Sequence, residues 1–224
     1  MTAAIEDDHP PLIRNRTFLT LWLAGSFTST ARWLETLVIG VFVFELTGSA
    51  FWVSSMLMLR MLPLGLFGAF GGALAALVDR RWLLIGGTTL SALISATVAW
   101  LGATDQLALW HVGACAFVAG AVWMFDFPAR RTLLGEAVGD ARVGSAMSLD
   151  IVAGSGTRAL GPVAGGALYA SLGVDGAFTA SAALFLIAVA GLTTLRGARP
   201  VQSMRGREKP PSLLAELLAG ARAL

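Results

Sequence analysis

The chain is predicted to be an all-α membrane protein with six transmembrane helices, on three observations. Hydrophobic residues make up 56% of its 224 residues and charged residues 13%, about half the charged share of an ordinary soluble domain, which is roughly 25%. Six apolar stretches each reach or exceed the ~20 helical residues that cross a ~30 Å hydrocarbon core. The Lys and Arg residues outside those stretches fall in alternate connections. None of the stretches alternates apolar with polar residues as a barrel strand does. Helices are then the way to satisfy the backbone in lipid.

A polar tail (1–16) opens the chain. It is not a cleavable signal, because the apolar run after Arg14 and Arg16 is far longer than a signal-peptide core. The spans lie at about 18–46, 50–75, 82–103, 107–126, 147–170 and 176–195, making a bundle over 17–195. A charged, Pro-containing linker fills 196–224. Within it, Ser212 can cap a short amphipathic helix carrying Leu213, Leu214, Leu217, Leu218 and Leu224. Arg14 and Arg16, Arg80 and Arg81, Arg130, Arg131 and Arg142, and the basic cluster from Arg196 to Arg222 occupy one set of connections. Glu45, Asp105 and Asp175 occupy the other. Positive residues stay on the cytoplasmic side, so both termini are expected there, in a multi-pass protein of the cytoplasmic (inner) membrane. Trp22 and Trp82 near the inner ends, and Trp52, Trp100 and Trp110 near the outer ends, fit the same orientation. The net charge of +2 is explained by this placement and does not indicate nucleic-acid binding. Cys115, the single cysteine, lies in an apolar run and reads as a small buried side chain.

Charges inside the spans point to function. Arg32 and Glu35 lie mid-span in the first helix, Arg60 in the second and Arg158 in the fifth. An Arg at a helix centre costs about 2.5–3.5 kcal/mol on the insertion scale, so each should face a cavity or a partner. Gly25, Thr28, Ser29, Arg32, Glu35 and Thr36 form one stripe at helical spacing, and Asp150, Gly154, Thr157, Arg158, Gly161 and Gly165 form another. Both are expected to line a polar cavity, with Thr28, Ser29, Arg32, Glu35, Arg60 and Arg158 on the substrate pathway. Arg32 and Glu35 also stand three residues apart and can pair within their helix, in the less favourable order. Glu35, Asp126 and Asp150 are the candidates for carrying a coupled proton, although Asp126 and Asp150, near the cytoplasmic ends of spans four and five, are more often gate-closing or capping charges than proton carriers. Three central arginines against one glutamate leave a positive excess, which favours an anionic or strongly hydrogen-bonding substrate.

Span two reads Arg60-Met61-Leu62-Pro63 and then Gly71-Gly72-Ala73-Leu74. Span five reads Arg158-Ala159-Leu160-Gly161-Pro162 and then Gly165-Gly166-Ala167-Leu168. These two spans correspond in a 3+3 inverted repeat. Glu45-Leu46-Thr47-Gly48-Ser49, Phe127-Pro128-Ala129-Arg130-Arg131 at the start of the loop after span four, and Gly161-Pro162-Val163-Ala164-Gly165-Gly166 complete the pattern. Over essentially its full length the chain resembles the N-terminal half of a major facilitator superfamily transporter. It looks closest to the group of macrolide-efflux and enterobactin-exporter proteins, usually classed as drug:proton antiporters. The resemblance makes Gly161, Pro162, Gly165 and Gly166 the antiporter-type motif, and Gly72, Asp79, Arg80 and Arg81 the gating loop between helices two and three. Here the chain departs from the family, since Ala76 stands where that loop carries an acid and Leu77 where it carries its first Arg. Asp79 is the candidate substitute. The arginine motif of the family's helix four is not visible.

The expected function is secondary-active export of small amphipathic or anionic molecules, drug- or siderophore-like, by alternating access. The partners expected are the lipid bilayer, a small-molecule substrate, and either a C-terminal half or a second six-helix chain. A transport-incompetent six-helix partner or regulatory protein is the alternative. His9 and His111 belong to no metal-ligand cluster, and no Gly-Lys-Ser/Thr occurs, so neither an enzyme nor an ATP-driven pump is expected. No metal or cofactor is expected, and no nucleic acid.

Overall fold

The structure, a computed structural model, describes residues 12–75 and 78–195, and the side chains of 12–66 and 78–195. The C-terminal amphipathic helix and the Ala76–Leu77 departure lie outside the described residues. Gly72 falls in a helical turn whose side chains are likewise outside them.

Among the described residues five α-helices form the bundle. α1 (Arg16–Thr47) starts at Asn15, whose side chain accepts from the Phe18 N–H at 3.1 Å, and stops at Gly48 in the left-handed region. Asn15 also donates to the Ala137 carbonyl at 2.7 Å, tying the start of α1 to the far end of the helix Leu109–Val138. α2 runs over Ala50–Ala75 and α3 over Arg80–Ala103. Asp79 caps α3, its carboxylate accepting from the Arg81 N–H at 2.9 Å. α4 (Leu109–Val138) begins where His111 Nδ1 accepts from the Ala108 N–H at 3.1 Å.

α4 corrects one expectation. Phe127-Pro128-Ala129-Arg130-Arg131 is not the start of a loop, because the helix passes through Pro128 and continues to Val138. Pro128 forfeits one backbone hydrogen bond. The helix is held beyond it by the burial of Ala129, Leu134 and Val138.

α5 (Val143–Thr194) is 52 residues long and as one straight rod would run about 78 Å at 1.5 Å per residue. It breaks at Gly173, where φ is 71° and ψ −171°. Its two arms, 143–172 and 174–194, run antiparallel. Ala146 near the start and Ala188 and Leu192 near the end share one apolar cluster with Phe18, Leu21, Leu84 and Leu134. Val174, Ala177 and Phe178, just past the break, belong to the opposite cluster with Val38, Val43, Met56, Val98 and Val112.

Between these clusters the middle of the bundle is polar. Thr28, Glu35, Arg60, Thr88, Ser91, Ser95, Asp126, Asp150 and Ser181 are all buried. The outside is apolar, with Phe51, Met58, Leu93, Trp100, Trp110, Val152, Leu160 and Val163 exposed. Four helices among the described residues are long and apolar enough to cross a membrane: Arg16–Thr47, Arg80–Ala103, Leu109–Val138 and the stretch Asp140–Thr194. Ala50–Leu66 is a shorter apolar helix.

Several helix contacts are made close by glycines. A Cβ on Gly120 of α4 would lie 1.9 Å from the Arg60 carbonyl oxygen of α2. One on Gly165 of α5 would lie 2.8 Å from the Leu34 carbonyl oxygen of α1, and one on Gly161 2.6 Å from Trp33 Cβ.

This packing gives three expectations for stability. Gly120→Leu drives a side chain into a backbone that cannot yield, and should lower stability by at least the ~1–3 kcal/mol typical of overpacking, read as a lower melting temperature in detergent. Gly65→Ala, at a position with nothing within 4 Å, should leave it unchanged. Gly173→Ala places a Cβ in a backbone region that is essentially glycine-only, at about 1–3 kcal/mol. Its melting temperature should fall while its helix content stays constant by circular dichroism.

Candidate functional site: a polar cavity among α1, α2, α4 and α5

A cavity of about 600 Å³ opens among four helices, within the ~300–1,000 Å³ range of small-molecule sites. α1 contributes Gly25, Thr28, Ser29, Arg32, Trp33 and Thr36. α2 contributes Leu57, Arg60 and Met61, and α4 contributes Trp123, Asp126, Phe127, Arg130 and Arg131. The first arm of α5 adds Asp150, Ile151, Gly154, Ser155 and Arg158. Five arginines thus face two aspartates, an excess of three positive charges.

The charges are arranged by helix pair. Arg32 Nη2 lies 3.2 Å from Asp126 Oδ2, joining α1 to α4. Arg130 Nη1 lies 2.5 Å from Asp150 Oδ1, joining α4 to α5, and Arg131 Nε stands 3.8 Å from the other oxygen of Asp150. Arg130 reaches Asp150 by crossing Gly25, where a Cβ would sit 2.5 Å from its Nη1. Two of the cavity arginines have no carboxylate partner among the described residues. Arg60 donates to Thr36 Oγ1 at 3.2 Å, and the Arg158 guanidinium lies over the Trp33 ring at 4.8 Å from its centroid. Ser29 and Thr157 share a hydrogen bond of 2.7 Å across the α1–α5 seam.

Glu35 departs from the expected stripe. It does not pair with Arg32, and it does not line the cavity. Arg32 finds a carboxylate across the bundle at Asp126, while Glu35 turns toward α3 and the second arm of α5. There its Oε1 accepts from Ser95 Oγ at 2.5 Å and from Ser181 Oγ at 2.7 Å. It borders a separate, mostly apolar pocket of about 10 Å³, with Ile39, Phe42, Val98, Val112 and Phe178. That is about the volume one water requires. Arg60 lines both spaces and is the wall between them.

The second stripe divides as well. Asp150, Gly154 and Arg158 face the cavity, whereas Gly161 and Gly165 are spent on close approach to α1 and Gly166 on contact with Leu37. Pro162 lies within α5. The antiporter-type motif therefore packs helices and touches no part of the cavity. Of the gating-loop residues, Asp79 caps α3, Arg80 pairs with Glu136 at 2.5 Å and Arg81 donates to the Thr193 carbonyl at 3.1 Å.

Trp123, Phe127, Arg130 and Arg131 were not anticipated as cavity residues. Trp123, Asp126, Phe127 and Arg130 stand at i, i+3, i+4 and i+7, one helical face. That signal is present in the sequence but is hidden once Pro128 is read as the start of a loop. Ser95 and Ser181 were missed too, although Thr88, Ser91 and Ser95 mark a polar stripe on α3.

A family model described as "Transmembrane secretion effector" matches residues 9–221. The "Uncharacterized MFS-type transporter YfiS" of Bacillus subtilis (strain 168) is 25% identical over 179 residues, covering 79% of this chain and 42% of that protein. The chain thus spans less than half the length of the curated relative it matches. No solved structure gives a significant match. An all-helical bundle with membrane-crossing helices, matched nearly end to end by this family, settles the class: the chain belongs to the transmembrane secretion effector family of major facilitator (MFS) transporters, and is a multi-pass membrane protein of a transporter family rather than an enzyme.

Proposed function

We propose that the chain forms one half of a secondary-active exporter of small amphipathic or anionic molecules. It works by alternating access in the cytoplasmic membrane, with six crossings and both termini in the cytoplasm. The observation that carries this reading is the 600 Å³ cavity ringed by five arginines and two aspartates within an apolar bundle, three of the arginines, Arg32, Arg60 and Arg158, lying mid-span. Charges at such depth are expensive unless water or a ligand reaches them, so they mark a pathway. The break at Gly173, with its antiparallel arms, supports counting α5 as two crossings. Arg60 and Arg158, at matching places in spans two and five, face the same cavity, which supports the inverted-repeat reading.

In this mechanism the pairs Arg32–Asp126 and Arg130–Asp150 hold α1, α4 and α5 in the present arrangement. Alternating access exchanges such pairs as one packing gives way to another. Glu35, outside the cavity yet behind Arg60, is the leading carrier of a coupled proton, with Asp126 and Asp150 as the alternatives inside it. A second six-helix domain closes the pathway.

The reading is tested in bacteria stripped of their own efflux pumps, expressing the chain alone and with a C-terminal six-helix partner domain. Accumulation of fluorescent amphipathic dyes should fall several-fold when both halves are present and recover when a protonophore is added. Unchanged accumulation with both halves correctly inserted would favour the partner or regulatory reading instead.

Asp126→Asn leaves Arg32 buried without its counter-charge, a loss of about 3–5 kcal/mol for a buried pair. Stability in detergent and efflux should both drop. The double variant Arg32→Gln with Asp126→Asn should recover much of the stability, since neither charge is then orphaned.

A further inference from the structure

The cavity's charges are not equivalent, and their differences identify a ligand class. Asp126 and Asp150 are each committed to an arginine of the bundle itself, Asp150 to two. A cationic ligand would have to displace one of those partners. Arg60 and Arg158 are the converse: among the described residues neither makes an ion pair. Arg60 is only 6% exposed, has Thr36 as its hydrogen-bond partner and borders the cavity. Glu35 contributes charge behind it, with Arg32 opposing, but faces the other pocket. Even with Glu35 counted, five arginines stand against three acids.

α1 brings these two cations together. Arg60 reaches Thr36 from α2 and Arg158 covers Trp33 from α5, and Trp33 and Thr36 are three residues apart, neighbours on one helical face. Two guanidinium groups from flanking helices are therefore anchored one turn apart. Trp33, Trp123 and Phe127 add aromatic side chains to the same walls.

We propose that Arg60 and Arg158 form an anion subsite, and that the ligand class is an aromatic or amphipathic carboxylate. Its acid group lies between the two guanidinium groups and its ring against the aromatic wall. Arg32 and Arg130 are structural, and Arg60 and Arg158 set specificity. This rests on the transporter reading for its biological meaning, but its test does not.

The probe is radiolabelled 2-naphthoate, bound at equilibrium to the full chain in lipid nanodiscs, with empty nanodiscs subtracted. It competes against the neutral 2-naphthamide and the cationic 2-naphthylmethylammonium. The expected result is a preference for naphthoate over naphthamide of roughly tenfold or more, the factor that hydrogen bonds to a charged group supply, with the ammonium weakest. Arg158→Gln, at an exposed position holding no ion pair, should remove most of that preference, and Arg60→Lys should retain part of it. Arg14→Gln, in the short helix ahead of α1 and outside the cavity lining, should leave it intact. Equal binding of naphthoate and naphthamide, or a preference that survives Arg158→Gln and Arg60→Gln together, would overturn the proposal. Flux is read separately, into vesicles that hold the chain together with the C-terminal six-helix partner domain. Arginine-dependent naphthoate binding without flux leaves the subsite standing and removes the transporter reading. Flux of the amide or ammonium with no anion preference does the reverse.

Discussion

The first arm of α5 lies against the backbone of α1 because Gly161 and Gly165 present no side chain there. In lipid there is no hydrophobic force between helices, and association relies on close van der Waals contact and interhelical hydrogen bonds. Here the contact is reinforced by the Ser29–Thr157 hydrogen bond. With the seam filled by backbone, the polar residues of α1 have to leave it on one side or the other. Arg32 and Thr36 emerge into the large cavity, and Glu35 emerges toward α3 and the second arm. The separation of the two spaces is a result of this one close approach.

The electrostatics build on that frame. α4 supplies both Asp126, for the arginine of α1, and Arg130, for the aspartate of α5. It is the helix that neutralises its neighbours in both directions. The reach of Arg130 depends on Gly25, whose missing side chain leaves the guanidinium room to cross. A small residue is used here to route a charge, where elsewhere in the bundle small residues bring backbones together.

Much of this was legible in the sequence. Span lengths and the mid-span charges were enough to anticipate a helical membrane bundle with a polar interior, and Thr28, Ser29, Arg32, Arg60 and Arg158 do border one cavity. Helical periodicity says which residues share a face, but not what stands opposite. Arg32 and Glu35 are 60° apart on the helical wheel, and only the positions of Asp126, Ser95 and Ser181 decide that they part company. Pro128 misled for a related reason. Local propensity favours a helix end there, and burial of the residues beyond it overrides the preference. The glycine-proline motif was singled out by resemblance alone, and the contacts of Gly161, Gly165 and Gly166 are those of packing. A Gly string looks the same in sequence whether it clears room for a substrate or for a neighbouring helix.

The break at Gly173 carries a consequence for how the chain is made. Only a turn of backbone separates the two arms of α5, and Asp175 is the sole charged residue near it. No soluble loop exists there that could be left on either face independently. Whichever way the first arm is threaded during biogenesis, the second must return alongside it. On the proposed count of two crossings, the pair enters the bilayer as a single hairpin whose orientation is decided once, by the flanking basic residues, rather than twice.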